Sequence, residues 1–194
     1  MSSKRHSILP AIDRSGPKPP VNFSSSLTIS DNAILQGTHS ITMQSETVVH
    51  PRARFESNMG SILIGRRCII HEHAHIGARP PDLDTAKPGG VVLGDYVVVE
   101  VGTIIESGDT EVGEGTALQV GCRIGSGAKI GRHCTITHKS VIAPGEQLPD
   151  HTVVYSDGMR RLDSRGVTDL RKLGLVKQVA VVKMMIPSNP EKFK

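Results

Sequence analysis

Through the middle of the chain an aliphatic residue returns at every sixth position. The clearest series runs Val112, Leu118, Ile124, Ile130, Ile136, Ile142, Leu148, Val154. Leu93, Val99 and Ile105 keep the same spacing before it, and one extra residue, Glu111, shifts the register. Ile64, Ile70 and Ile76 come earlier still, after a weaker start at Met43, Val49 and Phe55. Gly fills the second position of the hexad at 65, 77, 94, 113, 125 and 131. Small residues recur at the fifth, among them Ala53, Cys68, Ala74, Thr116, Cys122, Ala128 and Cys134. An amphipathic helix repeats about every 3.6 residues and a strand about every two, so neither explains the spacing.

A period of six is a solenoid signature. Each unit predicts one short strand and one bend, and three units close a triangular coil of about 18 residues. Coils stack at about 4.8 Å per layer, with the position-one aliphatic inside and a small fifth residue where the interior narrows. Glycine at position two is expected to ease the bend. In natural proteins this pattern resembles the left-handed parallel β-helix, an exception to the right-handed crossover, and the handedness follows from that resemblance. The predicted fold class is therefore an all-β solenoid, a left-handed parallel β-helix with a C-terminal helix packed on its flank. The β-helix is placed at 27–158, after a flexible Pro- and Ser-rich arm at 1–26 and before a C-terminal segment at 159–194. Arg79 to Gly90, RPPDLDTAKPGG, interrupts the hexads and is read as a projecting loop, with a shorter break at Glu56–Ser61.

The C-terminal helix is placed at about 168–186. Thr168 is the expected N-cap, Asp169 suits the first turn and Pro187 stops the helix. Leu170, Leu173, Val176, Val179, Val182 and Ile186 are expected to cover the flank, leaving Arg171, Lys172, Lys177 and Lys183 in water.

Composition narrows the function classes. Aromatics are 3% and Trp is absent, so the core must be built from Ile, Val, Leu and Ala. The net charge of +4 sits mostly near the two ends, and no basic stripe is interleaved with aromatics, so no nucleic-acid partner is expected. No run of about 18 apolar residues occurs, so no membrane insertion is expected. Lys4 and Arg5 are not followed by the apolar run of a secretory signal. Cys68, Cys122 and Cys134 lack CxxC spacing, which argues against a disulfide framework or a zinc knuckle and for a reducing compartment. All three sit at position five and read as small buried residues.

Two enzyme classes share hexad solenoids, acyltransferases and gamma-carbonic-anhydrase-like metalloenzymes, both trimeric with histidines in their sites. The metal candidates here are His71, His73, His133 and His138. His71 and His73 alternate as residues on one strand face do, but the triplet His71, His73 and His75 runs from position two to position six across a bend and is not expected to meet at one ion; His138 neighbours Lys139, a poor setting for a cation. The glycines at 125–127 fall on the six-residue grid and form no phosphate loop. No catalytic residue, cofactor or metal is expected.

Four segments carry a more specific likeness: Val49 to Arg54 (VHPRAR), Ser61 to Ala74 (SILIGRRCIIHEHA), Val99 to Gly102 (VEVG) and Pro149 to Arg161 (PDHTVVYSDGMRR). Their order, with a loop between the second and third, resembles the dynactin subunit 6 family over roughly residues 29 to 161. The resemblance implies a non-catalytic β-helix at the pointed end of dynactin. Its implied partners are dynactin subunit 5 and the pointed-end actin-related protein, with dynein cargo adaptors reached indirectly. It also implies a place in the cytoplasm and cytoskeleton, in microtubule-based transport. The Pro/Ser-rich arm and the Val-rich C-terminal segment depart from the family, so its C-terminal phosphorylation is not assigned here. Arg160 and Arg161, where the hexads end, are the candidate partner-binding residues. The enzyme reading stays as the alternative.

Overall fold

The computed structural model describes residues 16–81 and 88–194. Most of the expected N-terminal arm (1–15) and the centre of the Arg79–Gly90 loop (82–87) lie outside the described residues. A bend after every hexad keeps the strands two to four residues long. They stack into three sheets of seven, eight and six strands, the faces of a triangular prism. The first face runs from Val21–Phe23 to Gln147–Leu148, the second from Thr28–Ile29 to Thr152–Val154, the third from Ile34–Gly37 to Val141–Ile142. Every pairing along these runs is parallel, and the prism is a left-handed β-helix. The upper coils repeat every 18 residues, as in the Glu111–Lys129 pair. One lower coil takes 29, because the Arg79–Gly90 excursion leaves the corner between the third and first faces. The solenoid begins earlier than the expected boundary at 27: Val21–Phe23 already pairs with Ile41–Met43. It also ends later than 158, since Arg160–Leu162 adds an antiparallel strand to Thr152–Val154.

Register turns the hexads into columns. Phe23, Met43, Ile64, Leu93, Val112, Ile130 and Leu148 stand over one another behind the first face. Equivalent columns run behind the other two faces, and from the second coil upward no position-one side chain is more than 6% exposed. Burying each such side chain contributes roughly 1.5–3 kcal/mol.

Position five does more than fill space. Thr47 Oγ1 donates to the Gly65 carbonyl at 2.7 Å, Thr103 to Gln119 at 3.0 Å and Thr116 to Gly131 at 2.9 Å. The thiols of Cys68 and Cys122 do the same to Gly94 and Thr137. A small donor at position five thus satisfies a position-two carbonyl one coil further on.

Of the position-two glycines Gly77 has positive φ (81°), and at the other five the bend is made elsewhere than expected. Positive φ falls at position four, where Arg67 (56°), Tyr96 (59°), His133 (56°) and Lys139 (57°) share the left-handed region with Gly102, Gly115 and Gly121. The position-two glycines of the first corner answer a different need. A Cβ on Gly113 would lie 2.6 Å from the Gly131 carbonyl carbon, so they permit close backbone approach between coils.

The helix spans Thr168–Met185 and lies along the second face. That choice follows from position six. On the second face it is Thr28, Val48, Ile69, Val98, Ala117, Thr135 and Val153, without a charge, whereas the first face mixes Leu63 and Val92 with Glu111, Lys129 and Gln147 and the third mixes Ile34, Ile104 and Val141 with Arg54, His75 and Arg123. Val48 and Ile69 are buried with Leu175 and Val179, flanked by Val98, Val182 and Ile186. Eighteen residues of helix reach about 27 Å, close to the height of six layers, about 29 Å. Two expectations fail here. Val167, not Thr168, occupies the N-cap, with no side-chain cap. Leu170 and Leu173 point outward, 71% and 60% exposed.

Past the helix, Ser188 closes the first coil: its Oγ accepts the Ile29 N–H at 2.9 Å, and Ser30 and Ser188 form an antiparallel bridge. Phe193 then packs on the base of the core beside Val21, Phe23 and Leu35. The two kinds of glycine predict separable effects. Gly102 has φ +68° with nothing within 4 Å of where a methyl would stand, so Gly102→Ala should cost about 1 kcal/mol, from backbone conformation alone. Gly125→Ala sets Cβ 2.5 Å from the Pro144 nitrogen and should cost about 2 kcal/mol or more by forcing coils apart. Urea unfolding of both variants measures the difference, and equal costs would contradict the division of roles.

Candidate functional site

With the interior filled, chemistry is confined to the corners and the ends. At the second corner the position-two side chains stack as His50, His71, Glu100, Gln119 and Thr137. The His50 and His71 rings are 4.6 Å apart and nearly parallel, at 25°. His50 Nε2 is buried without a hydrogen-bond partner. His73 sits two residues past His71 at φ 57°, exposed beyond the bend. His133 lies on the first corner, stacked on His151 at 5.3 Å, while His138 is exposed on the second. The four candidates are thus dispersed over two corners. Among the described residues no three His, Cys, Asp or Glu side chains converge as a metal cluster would require.

Charged groups pair between coils. Arg66 meets Asp95 at 2.7 Å. Arg67 pairs with Glu46 on one side and donates to the Tyr96 hydroxyl at 2.8 Å on the other. Exposed pairs of this kind contribute about 0–1 kcal/mol each. Glu106 is different, because its side chain is only 3% exposed. Arg123 holds one oxygen at 2.6 Å and the Ser126 N–H the other at 3.1 Å, so losing Arg123 would strand a buried carboxylate. Lys172, expected in water, turns in to Glu114 at 2.5 Å and pins the helix to the first corner; this contact raises the ammonium pKa. Asp163 is held well below the carboxylate range by Arg165, helped by Arg171.

Arg160 and Arg161 lie on the terminal antiparallel strand. Arg160 pairs with Glu146 on the coil below. The Arg161 guanidinium stands 5.9 Å from the Tyr155 ring centre.

Burial pushes the Cys68 thiol up to about 12 and the Cys122 thiol to about 11, and raises Cys134. A thiolate is the reactive form, so these groups are chemically quiet. The signals that reading by residue type passes over are columnar: apolar position six on the second face, polar position two at the second corner, donors at position five. Each is visible only after hexads are sorted by face.

Desolvation lowers the pKa of His50 and His71, and also of His75 and His133. Below the unfolded value of about 6.5 the unfolded chain therefore binds more protons, and stability falls as pH drops from about 6.5. The midpoint of thermal unfolding should decrease between pH 7.5 and 5, on the order of a few degrees, and His50→Gln with His71→Gln should flatten that slope. For the thiols, iodoacetamide at about pH 8 should leave the native protein unlabelled and modify three cysteines in denaturant. Rapid native labelling would contradict their placement.

No family model matches the chain. Among curated proteins it is similar to dynactin subunit 6 of Danio rerio (28% identical over 130 residues, 64% of this chain), of Nematostella vectensis (28% over 125, 62%) and of Xenopus tropicalis (30% over 130, 64%). The matched segments span 66%, 67% and 63% of those relatives, so the chain aligns with about two thirds of their length. UDP-3-O-acylglucosamine N-acyltransferase of Methylobacterium nodulans is 34% identical over 103 residues, covering 47% of this chain but 29% of the enzyme. Solved structures share the fold. A provisionally assigned acetyltransferase from Bacillus cereus has a TM-score of 0.70 at 18% identity, covering 87% of this chain and 97% of its own. A hexapeptide transferase family protein from Anaplasma phagocytophilum has 0.68 at 13%, covering 84% and 95%. The chain thus has the fold of hexapeptide-repeat β-helices and is similar in sequence to dynactin subunit 6 over about 130 residues.

Proposed function

We propose that the chain is a non-catalytic structural subunit of a dynactin-type pointed-end complex. In this reading it pairs with a second β-helical subunit resembling dynactin subunit 5, beside a pointed-end actin-related protein, in the cytoplasm and cytoskeleton. There it supports the binding of dynein cargo adaptors on microtubules. The similarity to three dynactin subunit 6 proteins over more than three fifths of the chain carries this reading. The corner chemistry supports it: the histidines stack between coils and the carboxylates pair between coils, which stiffens a rod. The prism also ends unevenly. The second face is closed at both extremes by antiparallel segments, whereas the first and third end on the strands Gln147–Leu148 and Val141–Ile142. Such strand edges are suited to partner docking.

The acyltransferase reading is favoured by one observation, the 34% identical stretch shared with UDP-3-O-acylglucosamine N-acyltransferase. That match covers 29% of the enzyme. Affinity purification from cell lysate decides between the readings. Co-purification of actin-related proteins and a second β-helix protein in fixed ratio is the expected result. A stable homotrimer with acyl-CoA- or zinc-dependent activity would overturn it.

A further inference from the structure

The helix Thr168–Met185 is apolar on two opposite sides. Its inner side, through Leu175, Val179 and Val182, lies on the second face. Its outer side carries Leu170, Leu173, Val181, Met184 and Met185, exposed by 71%, 60%, 51%, 81% and 73%. Leu170 and Leu173 stand towards one end and Val181, Met184 and Met185 towards the other, on one side of the helix with Lys177 between them. A helix that only had to lie on the prism would be polar there. All five are more than half exposed, and large apolar side chains gathered on one exposed surface mark interaction sites.

Two further features lie within it. Lys177 is at its centre and has no ion pair among the described residues, whereas Arg171 is matched by Asp163 and Lys172 by Glu114. Gly174 flanks the stripe at mid-helix, where a methyl would meet nothing within 4 Å. Glycine weakens a helix interior, and nothing among the described residues requires one there.

We propose that this stripe docks an amphipathic helix of a partner protein, apolar along the contact and bearing a carboxylate opposite Lys177. Charge selects this occupant. A second copy packed about a two-fold axis would set Lys177 against Lys177 without a counter-charge. A bilayer surface favours a basic rim, but here Arg171 is neutralised and Asp169 adds a negative charge. Gly174 gives the partner helix room to approach closely. The inference stands independently of the proposed complex.

The test uses the full chain and two synthetic amphipathic peptides as long as the helix. Both share one leucine stripe; one has Glu and the other Lys at the central flanking positions. The Glu peptide should bind at least about tenfold tighter than the Lys peptide, and Lys177→Glu should reverse that order. Leu173→Ser with Met184→Ser should weaken binding about tenfold or more while leaving the circular dichroism and melting temperature unchanged. Gly174→Leu should raise the melting temperature by a few degrees yet weaken binding, a split that a purely structural glycine would not give. Absence of Glu-peptide binding, equal binding of both peptides, or binding indifferent to these substitutions would overturn the proposal. So would concentration-dependent dimerisation, or binding to phosphatidylserine vesicles, that is abolished by Leu173→Ser.

Discussion

Successive backbones approach so closely at the first corner that a Cβ on Gly113 would stand 2.6 Å from the next coil, and the rest of the molecule follows from that spacing. Parallel strands must stay about 4.8 Å apart for their ladders to form. A three-sided coil built at that pitch has room for one aliphatic side chain per strand and little else. Hence the columns of Ile, Leu and Val, the scarcity of aromatics and the demand for small residues at position five. Phe55 is the one large ring fully buried in the prism among the described residues. A filled interior has no room for polar groups, so polar chemistry is pushed to corners, faces and ends.

The same constraint gives position five its polarity. At the first corner the fifth residue of the preceding coil reaches the position-two carbonyls of Gly65, Gly94 and Gly131; at the second the Gln119 and Thr137 carbonyls already accept the N–H of Cys122 and Ser140, and the preceding coil adds a second donor. Ala53, Ala74 and Ala128 fit there by size, but Thr47, Thr103 and Thr116 also donate a hydrogen bond. Cys68 and Cys122 belong with the threonines rather than the alanines, since both thiols point at a carbonyl. The cysteines therefore serve the coil-to-coil contact, and their raised pKa values are a consequence of the burial that contact requires.

Much of this is legible in the sequence because a solenoid is written in a single index. The period fixes which residues point inward, and register follows because each column must meet its like. Less legible are features that depend on the face as well as the position in the hexad. Glycine at position two reads as the residue of the bend, yet the left-handed backbone sits two residues later, shared by arginine, tyrosine, histidine and lysine. Composition does not show this, since packing on the next coil holds those side chains in a conformation they would not choose alone. The histidines look like ligands one by one. Sorted by corner, His50 and His71 are successive rungs of one stack, and His133 and His138 belong to different edges. Leu170 and Leu173 read as inward because spacings of three and four occur on both sides of the helix, and its weak sidedness hides which stripe meets the sheet.

That two-sidedness bears on how the rod is completed. An open β-helix has a rank of unpaired backbone groups at each end and exposed edges that invite indiscriminate pairing. This chain closes its second face twice, with Arg160–Leu162 at one end and Ser188 at the other, and the helix is the strut that carries the tail between them. The strut needs its inner stripe for that task and nothing more. A tether of the same length with a polar outer side would deliver Phe193 to the base of the core equally well. The outer apolar stripe, the unmatched Lys177 and the mid-helix Gly174 thus lie outside what closure of the prism requires, and they share one surface. An exposed apolar stripe and a mid-helix glycine are two costs, one to solubility and one to helix stability, on the side of the element that also carries Lys177, and a single partner surface that fits all three explains them most simply.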